Sequence, residues 1–163
     1  SKVLLEIANL NNIPLNERVE LNPMVEEIIA DLSLLADKKN ITLSTTGNST
    51  ITGSDTLLYQ MIYNLVENAI KYNNQDGSVS ININNDDKYT YIQVKDTGNG
   101  IPKEYQETIF QPFFRIDKSR NRQFGGVGLG LALVYEIAKL HKASVYVKDS
   151  NNNGTIIEVK MEH

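Results

Sequence analysis

Apolar residues along the chain recur every three to four positions in some stretches and every second position in others, and the switches mark its elements. In SKVLLEIANL (1–10), Leu4, Ile7 and Ala8 share one helical face, so this stretch reads as a helix end. NNIPLNERVEL breaks that helix at Pro14 and leads into a short strand near Arg18–Leu21. Asn22-Pro23 then predicts a helix start, with Glu26 and Glu27 near the positive end of its dipole. That helix should reach about Lys39 and bury Val25, Ile28, Ile29, Leu32 and Leu35. ITLST (41–45) alternates as a strand. A second long helix is expected from about Asp55 to Tyr72, with Leu58, Met61, Ile62, Leu65, Ala69 and Ile70 on its apolar face.

VSININ (79–84) and YTYIQVK (89–95) read as a hairpin around Asn85-Asp86-Asp87. DTGNGIP is a loop and KEYQETIF a short helix, whereas residues 111–125 have no clean periodicity and read as a long loop. GGVGLGLAL (125–133) opens a third helix reaching about His141. ASVYVKD and GTIIEVKM close the chain as two strands around a turn spanning Ser150 to Gly154. The predicted class is α+β: a two-layer sandwich of a mixed sheet of about five strands, with three main helices on one face.

A chain of 163 residues, 40% of them apolar and 22% charged, suits one soluble domain with a sizeable core. A net charge of −4 argues against nucleic acid as a partner and against a membrane footprint. The absence of cysteine excludes disulfides, thiol catalysis and zinc-thiolate sites. No apolar run approaches the ~20 residues needed to cross a bilayer. The chain opens at Ser1, which reads as an excised piece of a longer protein whose membrane anchor would lie elsewhere.

Four stretches carry candidate chemistry. Gly126, Gly128 and Gly130 alternate at a helix start, although glycine costs a helix about 1 kcal/mol relative to alanine. Uncovered N–H groups there suit anionic oxygens, and the bland alternative is a tight turn packed on the sheet. The spacing does not fit the P-loop, since the first lysine after Gly125 is Lys139, nor the dinucleotide GxGxxG. Asp96, at a strand end before Gly98 and Gly100, is an acceptor suited to an exocyclic amino group. A plain Asp-Thr-Gly turn is the alternative; a methyltransferase loop conflicts with the preceding hairpin. Asn64, Asn68 and Lys71 stand at i, i+4 and i+7 on a face separate from the core stripe. An asparagine oxygen can ligate magnesium and a lysine can meet phosphate, or the face is merely solvated. Finally, Arg115, Lys118, Arg120 and Arg122 gather positive charge, with Phe110, Phe113 and Phe114 placed to anchor the loop's start, or the run is a solvated basic loop.

In this order, the four stretches resemble the ATP-binding catalytic domain of sensor histidine kinases, which shares a superfamily with DNA gyrase, the ninety-kilodalton heat-shock chaperones and MutL. NLVENAIKY is similar to the N box, DTGNGI to the G1 box, FQPFFR to the F box and GGVGLGLAL to the G2 box. The NGT at 153–155 is similar to a weaker G3 box, and the resemblance covers about residues 18–160. It implies the Bergerat-type ATP-binding fold, with ATP and Mg2+ as ligands. By it, Asn68 would ligate Mg2+, Lys71 would contact phosphates and Tyr72 would lie beside the nucleotide. Asp96 would bind the adenine amino group in a pocket shaped by Gly98, Gly100 and Ile101. Arg115 and Arg120 would reach the terminal phosphate. Gly126, Val127, Gly128, Leu129 and Gly130 would form the lid hinge and phosphate-facing helix start, with Thr155 completing the pocket.

The superfamily's ATPases and serine kinases carry a general-base glutamate four residues before the magnesium asparagine. Here that catalytic position holds Asn64, which cannot take a proton, and Glu67 lies on a different face. A histidine acceptor supplies its own nitrogen nucleophile, so the resemblance favours histidine phosphorylation. A nucleotide-sensing module without transfer and an ATPase are the alternatives. The resemblance places residues 1–17 at the end of a dimerisation and phosphoacceptor helix with its linker, and 18–163 in the catalytic domain. Its implied partners are that phosphoacceptor domain and a response regulator. The parent is expected to be a homodimer anchored at the inner face of the bacterial cell membrane, with this portion cytoplasmic. His141, at a helix-to-strand junction, is expected to be structural.

Overall fold

A computed structural model describes residues 12–112 and 129–163. Strand β2 (Thr42–Thr46) pairs in parallel with β4 (Ser78–Asn85), and β4 pairs antiparallel with β5 (Tyr89–Asp96). Strand β7 (Gly154–Glu162) lies antiparallel to both β5 and β6 (Ser144–Asn151), giving a mixed five-stranded sheet ordered β2-β4-β5-β7-β6. Alternate residues of its central strands enter the core: Val79, Ile81 and Ile83; Ile92 and Val94; Val159 and Met161. β1 (Glu17–Glu20) and β3 (Thr50–Gly53) form a separate antiparallel ribbon. β3 was not expected, since TITG is too short to display an alternating pattern.

Helix α1 (Leu21–Asp31) is followed by the short α2 (Ser33–Asp37), where the sequence suggested one helix to Lys39. The interruption falls at Leu32, beside the Ser33 hydroxyl, which donates to the Ala30 carbonyl at 2.9 Å. The start also differs. α1 begins at Leu21 because distant chain caps it: Leu21 N–H donates to Ser49 O (3.0 Å) and Asn22 N–H to Asn48 Oδ1 (2.9 Å). Glu26 and Glu27 therefore sit beyond the first turn and do not meet the dipole's positive end. Val25, Ile28 and Leu32 are buried, whereas Ile29 and Leu35 are only partly so.

Helix α3 (Asp55–Lys71) starts at Ser54, whose hydroxyl accepts the Leu57 N–H at 3.2 Å. Its expected apolar face is fully realised, with Leu58, Met61, Ile62, Leu65, Ala69 and Ile70 buried against β4, β5 and helix α4 (Leu129–Leu140). KEYQETIF forms two 3-10 turns (Lys103–Tyr105 and Thr108–Phe110) in place of one helix, and Phe110 is buried as anticipated. The β6–β7 connection tightens to Asn152-Asn153, because Ser150 already pairs with Thr155 and Asn151 with Gly154.

His141 links the helices. Its Nε2 accepts the Ser54 N–H (3.1 Å) while Nδ1 lies 2.8 Å from Ile137 O, an arrangement both bonds satisfy only with the proton on Nδ1. A methyl group on Gly53 would come within 2.4 Å of that ring. The ring is thus consumed by the fold.

The loop that caps α1 is itself held tightly. Gly47 has φ +86, and a Cβ there would lie 1.9 Å from Ile83 O. Gly47→Ala is expected to lower stability by at least about 2 kcal/mol, read as a fall in the denaturation midpoint. An unchanged midpoint would contradict this packing.

Candidate nucleotide-binding site

The candidate site forms where three chain segments end together: the C-terminus of α3, the end of β5 and the start of β7. Asp96 closes β5, and its Oδ1 accepts two backbone N–H groups, from Gly98 (2.9 Å) and Thr155 (3.1 Å). Among the described residues nothing donates to Oδ2. One oxygen is thus fixed by the fold, and the other remains an acceptor. Burial pushes the Asp96 carboxyl above its ordinary value, and the two N–H groups offset part of that rise.

The glycines of DTGNG are close-approach positions. A Cβ on Gly98 would lie 2.8 Å from the Tyr72 carbonyl oxygen, so the loop rests directly on the end of α3. Gly100 has φ +84, and a Cβ there would come 2.2 Å from Asn151 O. Ser150 fastens the far side of this loop. Its hydroxyl accepts the Ile101 N–H at 2.7 Å and lies 2.8 Å from the Thr155 hydroxyl. Tyr72, Asp96, Gly98, Gly100, Ile101 and Thr155 are therefore gathered into one cluster, as the motif reading expected them to be near one another.

Asn68 and Lys71 approach from α3. Asn68 is half-buried one turn before Tyr72, whose N–H donates to its carbonyl at 3.0 Å. Lys71 Nζ lies 3.6 Å from Glu67 Oε1, a partly exposed i,i+4 pair. Burial raises the Tyr72 phenol, with the Glu67 charge adding to the rise. Asn64 does not lie on a merely solvated face: it is 8% exposed, and its Oδ1 accepts from Gln60 Nε2 at 2.9 Å. Asn64 borders Leu65, and the elements packed on α3 close over this turn of the helix more fully than over Asn68 one turn on.

Arg115, Arg120, Gly126, Val127 and Gly128, with Phe113, Phe114, Lys118 and Arg122, lie outside the described residues, as do residues 1–11. Leu129 and Gly130 form the first described positions of α4. Several residues that shape the cluster escaped the sequence reading, among them Asn73, Thr97, Ser150 and Lys39. Lys39 Nζ donates to the carbonyls of Lys71 and Asn73, placing a cation at the α3 C-terminus. The available signal was weak: an asparagine just past a helix end, and a serine facing a threonine across a tight turn.

Residues 53–163 match the model of the histidine kinase-, DNA gyrase B- and HSP90-like ATPase family. The chain belongs to this family. The sensor protein CiaH of Streptococcus pneumoniae is 44% identical over 112 residues, which is 69% of this chain and 25% of CiaH. The sensor-like histidine kinase SenX3 of Mycobacterium tuberculosis is 36% identical over 157 residues, covering 93% of this chain and 38% of SenX3. The chain thus spans a minor part of these curated relatives. A structure of the catalytic domain of histidine kinase ThkA superposes with a TM-score of 0.76 at 26% identity, covering 90% of this chain and 97% of that one. Another ThkA structure is a complex with the response regulator TrrA, with a TM-score of 0.76 at 23% identity over 99% of this chain and 46% of that one. The fold is that of histidine kinase catalytic domains, and the family is one of ATP-binding proteins. Among the described residues no helix is long and apolar enough to cross a membrane.

The raised Asp96 carboxyl has a thermodynamic consequence. Folding favours its protonated form, so that contribution is fully present below the unfolded pKa and is lost as pH rises through the folded one. Asp96→Asn removes the cost of burying the charge yet keeps an acceptor for Gly98 and Thr155. Without nucleotide, Asp96→Asn should melt at or above the wild-type temperature at pH 7, and its advantage should shrink towards pH 4. Thermal melts at the two pH values check this; a variant that melts well below wild type at pH 7 would refute it.

Proposed function

We propose that this chain is the catalytic domain of a sensor histidine kinase, binding Mg-ATP and transferring the γ-phosphoryl group to a histidine of an adjacent phosphoacceptor domain. The observation that carries the reading is the half-fixed Asp96 carboxylate, set on a glycine floor beside the α3 end in a chain of this family. Its remaining oxygen suits the adenine amino group, and Gly98 and Gly100 leave room for the base near the backbone. Residues 18–163 would form the catalytic domain and 1–17 the end of the dimerisation helix with its linker. The naming of CiaH and SenX3 as a sensor protein and a sensor-like histidine kinase, and the ThkA–TrrA complex, support a response regulator as the downstream partner.

Magnesium fits the donor set. No group of three or more His, Asp or Glu side chains among the described residues could cage a metal. Mg2+ is commonly held by one or two protein oxygens together with substrate phosphates and water, which the half-buried Asn68 amide could complete. When bound, Mg2+ shields phosphate charge. Lys71 would turn from Glu67 to the triphosphate, and Arg115 and Arg120 would supply positive charge at its terminal group. Holding the phosphoryl group in line with the acceptor is then the main task, because the histidine brings its own nucleophilic nitrogen. Asn64, bonded to Gln60 and unable to take a proton, supplies no base for activating water, which favours transfer to histidine over hydrolysis.

Incubating the chain with γ-labelled ATP, Mg2+ and a supplied acceptor domain tests the reading. The expected product is a label on the acceptor that survives base and is lost in acid. Label-free acceptor with intact ATP binding would point to a sensing module, and steady phosphate release to an ATPase. Asp96→Asn should weaken ATP binding at least about tenfold, the scale of losing a charged hydrogen bond, as measured by calorimetry. Asn68→Ala should abolish the Mg2+ dependence of binding.

A further inference from the structure

The hydrogen bonds behind the Asp96 loop converge on one buried side chain that neither binds in the proposed site nor belongs to the core. Asn73 is 6% exposed, two residues past the end of α3. Its Oδ1 accepts the Asn74 N–H (2.8 Å) and the Thr97 hydroxyl (2.9 Å), and its Nδ2 donates to the Ser78 carbonyl at 2.9 Å. Thr97 stands between Asp96 and Gly98, and its hydroxyl also accepts the Ser78 N–H at 2.9 Å. Asn74 Nδ2 donates to the Thr97 carbonyl at 3.1 Å. The end of α3, the start of β4 and the first residue of the loop are thus joined through a single amide.

Space for this junction is reserved by Gly77. A Cβ there would lie 2.4 Å from Asn73 Oδ1 and 2.5 Å from Thr97 Oγ1, so the glycine makes room for the polar pair. The consequence reaches the site across one residue. Gly98 rests on the Tyr72 carbonyl, and its N–H is one of the two that fix Asp96 Oδ1. A shift of Thr97 therefore moves the carboxylate relative to the helix end that carries Asn68, Lys71 and Tyr72.

We propose that Asn73 is a positioning residue of the nucleotide site, acting through Thr97 to set the Asp96–Gly98 loop against the end of α3. The inference rests on the proposed function, because its catalytic meaning requires that nucleotide occupy the cluster. The bond between Asn73 and Thr97 fixes where the adenine acceptor stands, and hence how strictly the site distinguishes an amino group from a carbonyl on the base. Losing it should cost affinity for ATP and also blur the preference for ATP over GTP.

The test uses the 163-residue chain with Asn73→Ala, the isosteric Thr97→Val, the hydroxyl-retaining Thr97→Ser and the double variant Asn73→Ala/Thr97→Val. In unliganded protein, amide exchange at Gly98 and Thr155 should quicken about tenfold in Asn73→Ala and in Thr97→Val but not in Thr97→Ser. ATP affinity should fall about tenfold in each of the first two, with a smaller loss for GTP. Because the two variants share the Asn73–Thr97 bond, the double variant should lose less than the product of the two single losses. Losses that multiply in the double variant, or unchanged exchange in a folded Thr97→Val, would overturn the proposal. Failure of the wild type to bind ATP would overturn the nucleotide reading itself, and the exchange rates distinguish that failure from failure of the linkage.

Discussion

At the end of β5 the backbone of Asp96 passes so near Gly154 that a Cβ there would lie 2.0 Å from the Asp96 carbonyl oxygen. Gly154 adopts φ +138, which side chains rarely tolerate, so the approach depends on glycine. This contact sets how β7 leaves its turn, and it delivers the next N–H, that of Thr155, to Asp96 Oδ1. Ser150, opposite Thr155 in the β6–β7 register, is then placed to accept the Ile101 N–H. Both ends of the loop from Asp96 to Ile101 are thereby tied to one hairpin. A loop that would otherwise carry much conformational entropy is ordered by these bonds at both ends, with Ile101 packed against the core.

Helix α3 supplies the opposite wall, and its two faces divide the labour. Leu58, Met61, Ile62, Leu65, Ala69 and Ile70 commit one face to the core, which fixes the helix axially and rotationally. Asn68 and Lys71 follow on the remaining arc, where they are set by the rigidity of that packing. The helix end is stabilised electrostatically, since Lys39 brings an ammonium group to the carbonyls of Lys71 and Asn73. His141 anchors the other end through Ser54. A helix held at both termini and along one side can present polar groups with little positional freedom, as a site for a charged ligand requires.

What the sequence disclosed and withheld follows the range of the interactions involved. The core stripe of α3 and the β4–β5 hairpin are periodic over most of their length, and local pattern alone marks them. Asp96, Gly98 and Gly100 could by themselves be a plain turn, and they stand out through their order with the other motifs along the chain. The start of α1 was misplaced because its caps come from Asn48 and Ser49, far along the chain, and β3 because four residues carry no period. Asn73 is silent in the sequence for a related reason. An asparagine beyond a helix is ordinary in sequence, and its importance appears only when Thr97 and Ser78 are folded onto it. Asn64 shows the same limit from the other side, since a helical wheel gives its angle but not how far the neighbouring elements close over it.

The Glu67–Lys71 pair bears on how the proposed site would meet its ligand. Lys71 is held 3.6 Å from a carboxylate when no phosphate is present, with both side chains partly exposed. A pair of this kind on a helix surface contributes only ~0.5 kcal/mol and is screened by salt. Moving the ammonium group to a triphosphate, with several negative charges and strong acceptor oxygens, therefore costs little relative to what it gains. Whether or not Lys71 stays with Glu67, Asn64 offers amide groups in place of a base. Under the proposed function, this lowers the chance that water beside bound phosphates is activated before an acceptor arrives. A domain of the proposed function would benefit from such restraint, and here it follows from an amide at Asn64 where a carboxylate would act as base.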